Sequence, residues 1–160
     1  MNTALDALDI DLYQAASRTL LASHHADNHR VASAIRGASG TIYLGLHLGS
    51  KRVSICAESS AVANARMAGE THLSNAVAVC MNSTTGTPQV INPCGVCREL
   101  FSTYGPDMSV LVDAHGAIAK VTMAELLPLP WMRANETEWA VPQPEVTPAA
   151  TIESNPSQRQ

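Results

Sequence analysis

The chain has 160 residues, of which 46% are hydrophobic and only 15% charged, with a formal net charge of −4 and a pI of about 5.8. Such a length fits one domain with a proper core, and an acidic balance without any basic run excludes a strong electrostatic hold on nucleic acid. A small molecule is the expected ligand, nucleic acid is not expected as a partner, and so apolar a chain has surface to bury against copies of itself.

Leu5, Leu8, Leu12, Ala16 and Leu20 recur at steps of three and four, which predicts an amphipathic helix over residues 3–22 with one buried stripe. Thr3 followed by Asp6 forms its capping-box start, and the polar run 23–28 ends it. Two apolar runs, 31–35 and 41–48, flank Gly37-Ala38-Ser39-Gly40 and read as a hairpin. A second helix, 56–68, carries Ala57, Ala61, Val62, Ala65 and Ala68 on one face and stops at Gly69. Residues 76–81 read as a buried strand, and 82–93, rich in Asn, Ser, Thr, Gly and Pro, as a loop.

A third helix starts at Cys94 and ends by Gly105-Pro106. Strands follow at 108–112 and 117–121, joined by a turn through 113–116. Thr122 caps a short helix that runs through Leu127 and that Pro128 stops. Beyond Trp139 the composition turns to Pro, Gln, Ser, Thr and Glu, so 1–139 is expected as the domain and 140–160 as a disordered tail. No run reaches the ~18 apolar residues of a membrane span. This order of elements predicts an α/β layer fold around one mixed sheet.

The chemistry concentrates in Cys56-Ala57-Glu58 and Pro93-Cys94-Gly95-Val96-Cys97-Arg98. A catalytic zinc takes three protein ligands and keeps a fourth position for water, whose pKa falls from about 15.7 towards roughly 7. Cys56, Cys94 and Cys97 supply the ligands, and Glu58, two residues after the first of them, is placed to shuttle protons. Both motifs open predicted helices, whose N-terminal amides stabilise thiolates. Three thiolates around one zinc sum to −1, so Arg98, next to a ligand, is expected to donate hydrogen bonds to their sulfur. The competing reading is a closed structural site, which needs a fourth ligand. Cys80 sits in the buried-strand pattern and reads as core packing, while His72 or another histidine could close the site. One leftover cysteine points to a reducing compartment, and the cytoplasm is expected.

Cys-x-Glu followed by Pro-Cys-x-x-Cys resembles the zinc deaminase signature. With cysteine in the first position and Cys94-Gly95-Val96-Cys97-Arg98 after it, the chain is similar to the small cysteine-only cytidine deaminases, and most of all to blasticidin S deaminase. The resemblance, over residues 10–131, implies a three-layer α-β-α fold with a sheet of about five strands. It also implies one Zn2+ per chain and assembly as a homotetramer, or a dimer. The implied activity is hydrolytic deamination of a cytosine-like nucleoside or aminopyrimidine, with Glu58 protonating the ring nitrogen and then the departing amine.

The implied substrate residues are Ala57, His29, His47 and Trp131. His29 falls where these enzymes carry a base-stacking phenylalanine. Eighteen residues on, His47 and Gly49 stand where they have the Asn-x-Glu that grips ribose, so neither ribose ligand is kept. The nine-residue step from His47 to Cys56 looks like the blasticidin S branch. Ser59 replaces an arginine and Glu99 a glutamine. Glu125-Leu126-Leu127-Pro128 with Trp131 resembles a family ending whose aromatic reaches a neighbouring subunit's site. Trp139 is expected to pack or anchor the tail, His24, His25 and His115 to be solvated or capping, and Asn92 has no assigned role. Two alternatives stand beside this reading: a deaminase of a bulky antibiotic nucleoside that confers resistance, and a noncatalytic zinc-stabilised scaffold.

Overall fold

Asp6, rather than Thr3, begins the first helix. In the computed structural model, which describes residues 4–136, helix α1 spans Ala7–Ser23. The Asp6 carboxylate accepts from the Asp9 amide at 2.9 Å and the Asp9 carboxylate accepts from the Asp6 amide at 3.1 Å, a reciprocal capping box. The buried stripe is Asp9, Leu12, Ala15, Ala16 and Leu20, whereas Leu8, expected inside, is 57% exposed. An acidic residue takes the inner position because Lys120 Nζ lies 2.7 Å from its carboxylate and the Asn75 amide donates to it at 3.4 Å. Thr3, Trp139 and the proposed tail 140–160 lie outside the described residues, so the domain boundary at 139 does too.

Strands β1 (Val31–Gly37) and β2 (Ile42–Leu46) form the expected hairpin, with Ala34 opposite Leu44. The second strand stops short of His47. The chain instead makes a small ribbon of β3 (Leu48–Gly49) and β4 (Ser54–Ile55), which periodicity does not announce in two-residue pieces. Helix α2 (Ala57–Met67) follows, and then β5 (Leu73–Met81), the centre of the sheet. The stretch expected as a loop contains β6 (Pro88–Ile91), paired antiparallel with the end of β5. Its turn is built by Asn82, whose Oδ1 accepts from the amides of Thr84 and Thr85, and by Gly86 at φ 69°.

Helix α3 (Gly95–Tyr104) leads to β7 (Ser109–Ala114) and β8 (Ala117–Thr122), joined by His115 and Gly116 at φ 57° and 92°. Two consecutive left-handed residues make the tight turn whose twist suits a hairpin. Thr122 and Glu125 cap α4 (Met123–Leu126).

The sheet runs β2-β1-β5-β7-β8 with β6 added on β5, and only β5 and β7 are parallel. Side chains alternate across it. Ala32, Ala34, Val77 and Val79 face α1 through Leu12, Ala16 and Leu20. Ile35, Ala76, Val110 and Val112 face the other layer through Ala61, Val62, Ala65, Phe101 and Met123. The three layers and the mixed sheet match the expectation. Cys80, expected in the core, ends only half-buried at the close of β5.

The Asp9–Lys120 pair makes a check on how α1 is docked. Burial lowers the Lys120 pKa, but hydrogen bonds and charge from Asp9 and Asp6 outweigh it and hold the ammonium above its ordinary value. A raised lysine stabilises the fold fully below about 10.5 and loses that contribution as pH rises through the folded value. Replacing Asp9 by Asn is expected to lower unfolding free energy by about 2 kcal/mol in urea titrations at neutral pH, a difference that shrinks in alkaline buffer.

Candidate active site

Two helix starts meet at one edge of the sheet. Cys56 is the N-cap of α2 and Cys94 the N-cap of α3, both extended (φ −64°, ψ 145° and φ −66°, ψ 169°). Neither sulfur is spent on capping its own helix. Gly45 is what lets α2 arrive, since a Cβ there would collide with the backbone of Ala57 and Ala61. Ser60 Oγ then ties the first turn to β2 by donating to the Leu46 carbonyl at 3.0 Å.

The sulfurs of Cys56 and Cys94 lie 3.7 Å apart, and with Cys97 all three fall within 4.8 Å of one another. Two zinc–sulfur bonds of about 2.3 Å at a tetrahedral angle hold their sulfurs about 3.8 Å apart. The donor set therefore fits one zinc ion. Among the described residues no further Cys, His, Asp or Glu joins the cluster. Cys80 lines a different cavity and His72 pairs with Thr71, so the fourth ligand a closed structural site requires is missing.

The thiols resist ionising together without a cation. Cys97 is fully buried, and burial followed by the charge of Glu58 pushes its pKa far up. Burial, then the neighbouring Cys94, raises Cys56. Burial acts upward on Cys94 as well, but amides of Cys97 and Val96 and the adjacent thiols outweigh it and leave Cys94 below its ordinary value. A divalent metal reverses this local logic, because its charge favours every thiolate at once.

Glu58 stands in the first turn of α2 at 5% exposure. Burial pushes its carboxyl above the usual range, partly offset by its own amide and the Cys97 thiol. It shares a cavity of about 170 Å³ with Cys56 and Cys94, floored by the fully buried Ala57 and walled by Val31, His47, Ile91 and Asn92. A small planar ring is the size of object that enters such a space.

The other expected substrate residues divide. His47 lines the cavity, but its ring is held on both sides: Nδ1 accepts from the Arg30 amide at 3.5 Å, so Nε2 carries the proton toward Ser54 Oγ at 3.0 Å. His29 does not line it. Its Nδ1 donates to the His47 carbonyl at 2.9 Å and its backbone bridges to His25, so it braces the loop behind the wall. Gly49 has little room for a side chain, a Cβ there lying 3.0 Å from both the Asp27 carbonyl and the His47 ring. Trp131 is 69% exposed and is not among the residues that line the cavity.

Arg98 differs from expectation. Its Nε donates to the Pro93 carbonyl at 2.9 Å and its Nη1 to the Leu126 carbonyl at 3.2 Å, so its described bonds run to backbone oxygen and not to sulfur. The cause is geometric: α3 turns this side chain back toward α4. Ser59 Oγ is instead the side chain beside a ligand, 4.0 Å from Cys97 Sγ. Sequence reasoning passed over Asn92, Gly45, Ser54 and Ser60, and only Gly45 carried a signal, as a glycine inside a strand pattern.

Comparison with known proteins agrees with this geometry. The family described as the cytidine and deoxycytidylate deaminase zinc-binding region matches residues 7–112. Blasticidin-S deaminase of Bacillus cereus is 34% identical over 130 residues, covering 78% of this chain and 93% of that protein. The crystal structure of cytidine deaminase from Mycobacterium leprae superposes with a TM-score of 0.63 at 24% identity, over 78% of this chain and 100% of that one. That of the Bacillus anthracis enzyme gives 0.65 at 24% identity, over 76% and 88%. At such identities the superpositions establish the fold. The family match runs through both cysteine motifs, and on that ground the chain belongs to the zinc-dependent cytidine and deoxycytidylate deaminase family.

Proposed function

We propose that this protein hydrolyses the exocyclic C–N bond of a cytosine-like aminopyrimidine, leaving a carbonyl and releasing ammonia. The observation that carries the reading is the buried Glu58 carboxyl in the same small cavity as the open three-thiol cluster. Cys56, Cys94 and Cys97 would hold one zinc ion, which when bound supplies the Lewis acidity that makes water nucleophilic near neutral pH.

Glu58 then does the proton work. It takes a proton from the attacking water and delivers it to the ring nitrogen, and it carries the second water proton to the leaving amine. The carbon–nitrogen bond breaks as the carbonyl forms, and ammonia departs. Burial suits Glu58 to this task, because a carboxyl raised above its usual range accepts and returns protons readily. Ala57, at the cavity floor, packs against the ring.

The substrate is not gripped through a ribose diol. Both ring nitrogens of His47 are engaged by its own chain, and the space at Gly49 is taken up by Asp27 and His47. A site without those acceptors gives up the discrimination that hydroxyl recognition supplies. A second reading, favoured by the likeness to blasticidin-S deaminase, is a bulky antibiotic nucleoside as substrate. The exposed Trp131, Leu129 and Met132 support assembly, with Trp131 reaching toward a neighbouring subunit in a homotetramer or dimer. Four free cysteines favour the cytoplasm, and no described helix is long and apolar enough to cross a membrane.

Ammonia release by zinc-loaded protein, measured over cytidine, deoxycytidine, cytosine, blasticidin S and ring-modified cytosines, is expected for at least one compound and least for those relying on ribose contacts. Silence across all of them would favour the noncatalytic scaffold. Glu58→Gln is expected to keep one zinc per chain while turnover falls by about two to four orders of magnitude; a variant that retains most of its rate removes Glu58 from the proton path. Cys94→Ala is expected to lose zinc and melt at lower temperature, and full metal occupancy in that variant would mean another ligand set.

A further inference from the structure

The sheet divides next to the metal loop. β5 pairs with β7 from Asn75↔Ser109 to Val77↔Leu111, and then with β6 from Ala78↔Ile91 to Met81↔Pro88. The two strands thus use the same edge of β5 in succession, and β7 parts from it beyond Leu111. The gap opens into a cavity of about 260 Å³ that Cys80, Gln89, Ile91, Asn92 and Asp113 help to line.

At this gap Asp113 would be left with unpaired backbone groups. Ala114 and Ala117 close the β7–β8 turn, and in a two-residue hairpin that pair exchanges the hydrogen bonds. The next pair, Asp113↔Ile118, is then a non-hydrogen-bonded one, so the Asp113 amide and carbonyl point away from β8. Asn92 satisfies both. Its Oδ1 accepts from the Asp113 amide at 2.8 Å and its Nδ2 donates to the Asp113 carbonyl at 3.1 Å. One side-chain amide replaces the ladder rung that a neighbouring strand would have supplied.

Two residues later stands Cys94. Pro93 between them fixes its own φ near −65°, is buried, and has its carbonyl held by Arg98. The corner therefore has little torsional freedom left between β7 and the Cys94 sulfur. We infer that Asn92 is a positioning residue for the metal centre: its clamp on the Asp113 backbone sets where the Cys94 sulfur stands against Cys56 and Cys97. The inference rests on the zinc reading of the cysteine cluster and goes beyond the family motif, which begins at Pro93.

The test is zinc release from purified full-length holoprotein into excess 4-(2-pyridylazo)resorcinol, for wild type, Asn92→Ala and Asn92→Ser. Loss of an outer partner of a metal site typically costs 10–100-fold in affinity, so Asn92→Ala is expected to release zinc about tenfold faster. Asn92→Ser, whose single hydroxyl keeps one of the two bonds, should fall between, and it carries the comparison if the alanine variant does not fold. Lys120→Met serves as the control for general destabilisation, since it loosens α1 far along the chain from the metal loop. Its release rate should stay at the wild-type value although its melting temperature drops. In the cobalt(II)-substituted protein, Asn92→Ala should also shift the thiolate charge-transfer bands. Release at the wild-type rate, or release that follows melting temperature alike in the Asn92 and Lys120 variants, overturns the inference. A wild-type protein that binds no zinc overturns it together with the metal reading, whereas full zinc occupancy without Asn92 sensitivity leaves the deaminase reading intact.

Discussion

Three thiol groups packed within 4.8 Å of one another resist ionising together unless a cation stands among them, and much of the surrounding structure serves that arrangement. The cost of bringing them together is met by placement as well as by charge. Two sit at helix N-caps, at the positive end of the helix dipole, and the third is buried in the first turn of α3. Holding two helix starts this close needs α2 seated hard on β2, which the missing side chain of Gly45 allows. It also needs the approach to α3 held from outside, by Asn92 on β7 and by Arg98 on Pro93 and α4.

The same geometry makes the site open on one side. With three protein ligands and a carboxyl buried beside them, the cluster differs in kind from a closed structural knot. The walls divide the labour. The α2 start contributes a thiol of the cluster, the cavity floor and a buried carboxyl within three consecutive residues, while the far wall comes from β1, β6 and the loop after β2. That far wall carries His47. Its histidine is bonded into the scaffold, so it shapes the cavity without offering a free donor or acceptor.

Arg98 shows how an outer residue can support a metal site without touching it. An arginine beside three thiolates looks like a charge-compensating donor, yet its guanidinium spans two carbonyls and couples the metal loop to the segment that leads to Trp131. Among side-chain hydroxyls it is Ser59 that stands beside Cys97, 4.0 Å from its sulfur.

What the sequence by itself determined is the chemistry. Cys56, Glu58, Cys94 and Cys97 lie in two short motifs at helix starts, where local spacing and backbone geometry already fix how the side chains are presented. The layered α/β fold was legible for a similar reason, because helix and strand periodicities are local properties. Tertiary structure decided the rest. The first helix begins at Asp6 with Asp9 turned inward because Lys120, distant in sequence, pairs with it. Strand β6 hides among turn residues until β5 supplies its partner. His29 and His47 become bracing and lining groups only once Arg30, Ser54 and each other are in place. Asn92 acquires a role only when β7 diverges and leaves two backbone groups to satisfy. In each case the deciding hydrogen bond or burial joins segments that no local pattern brings together.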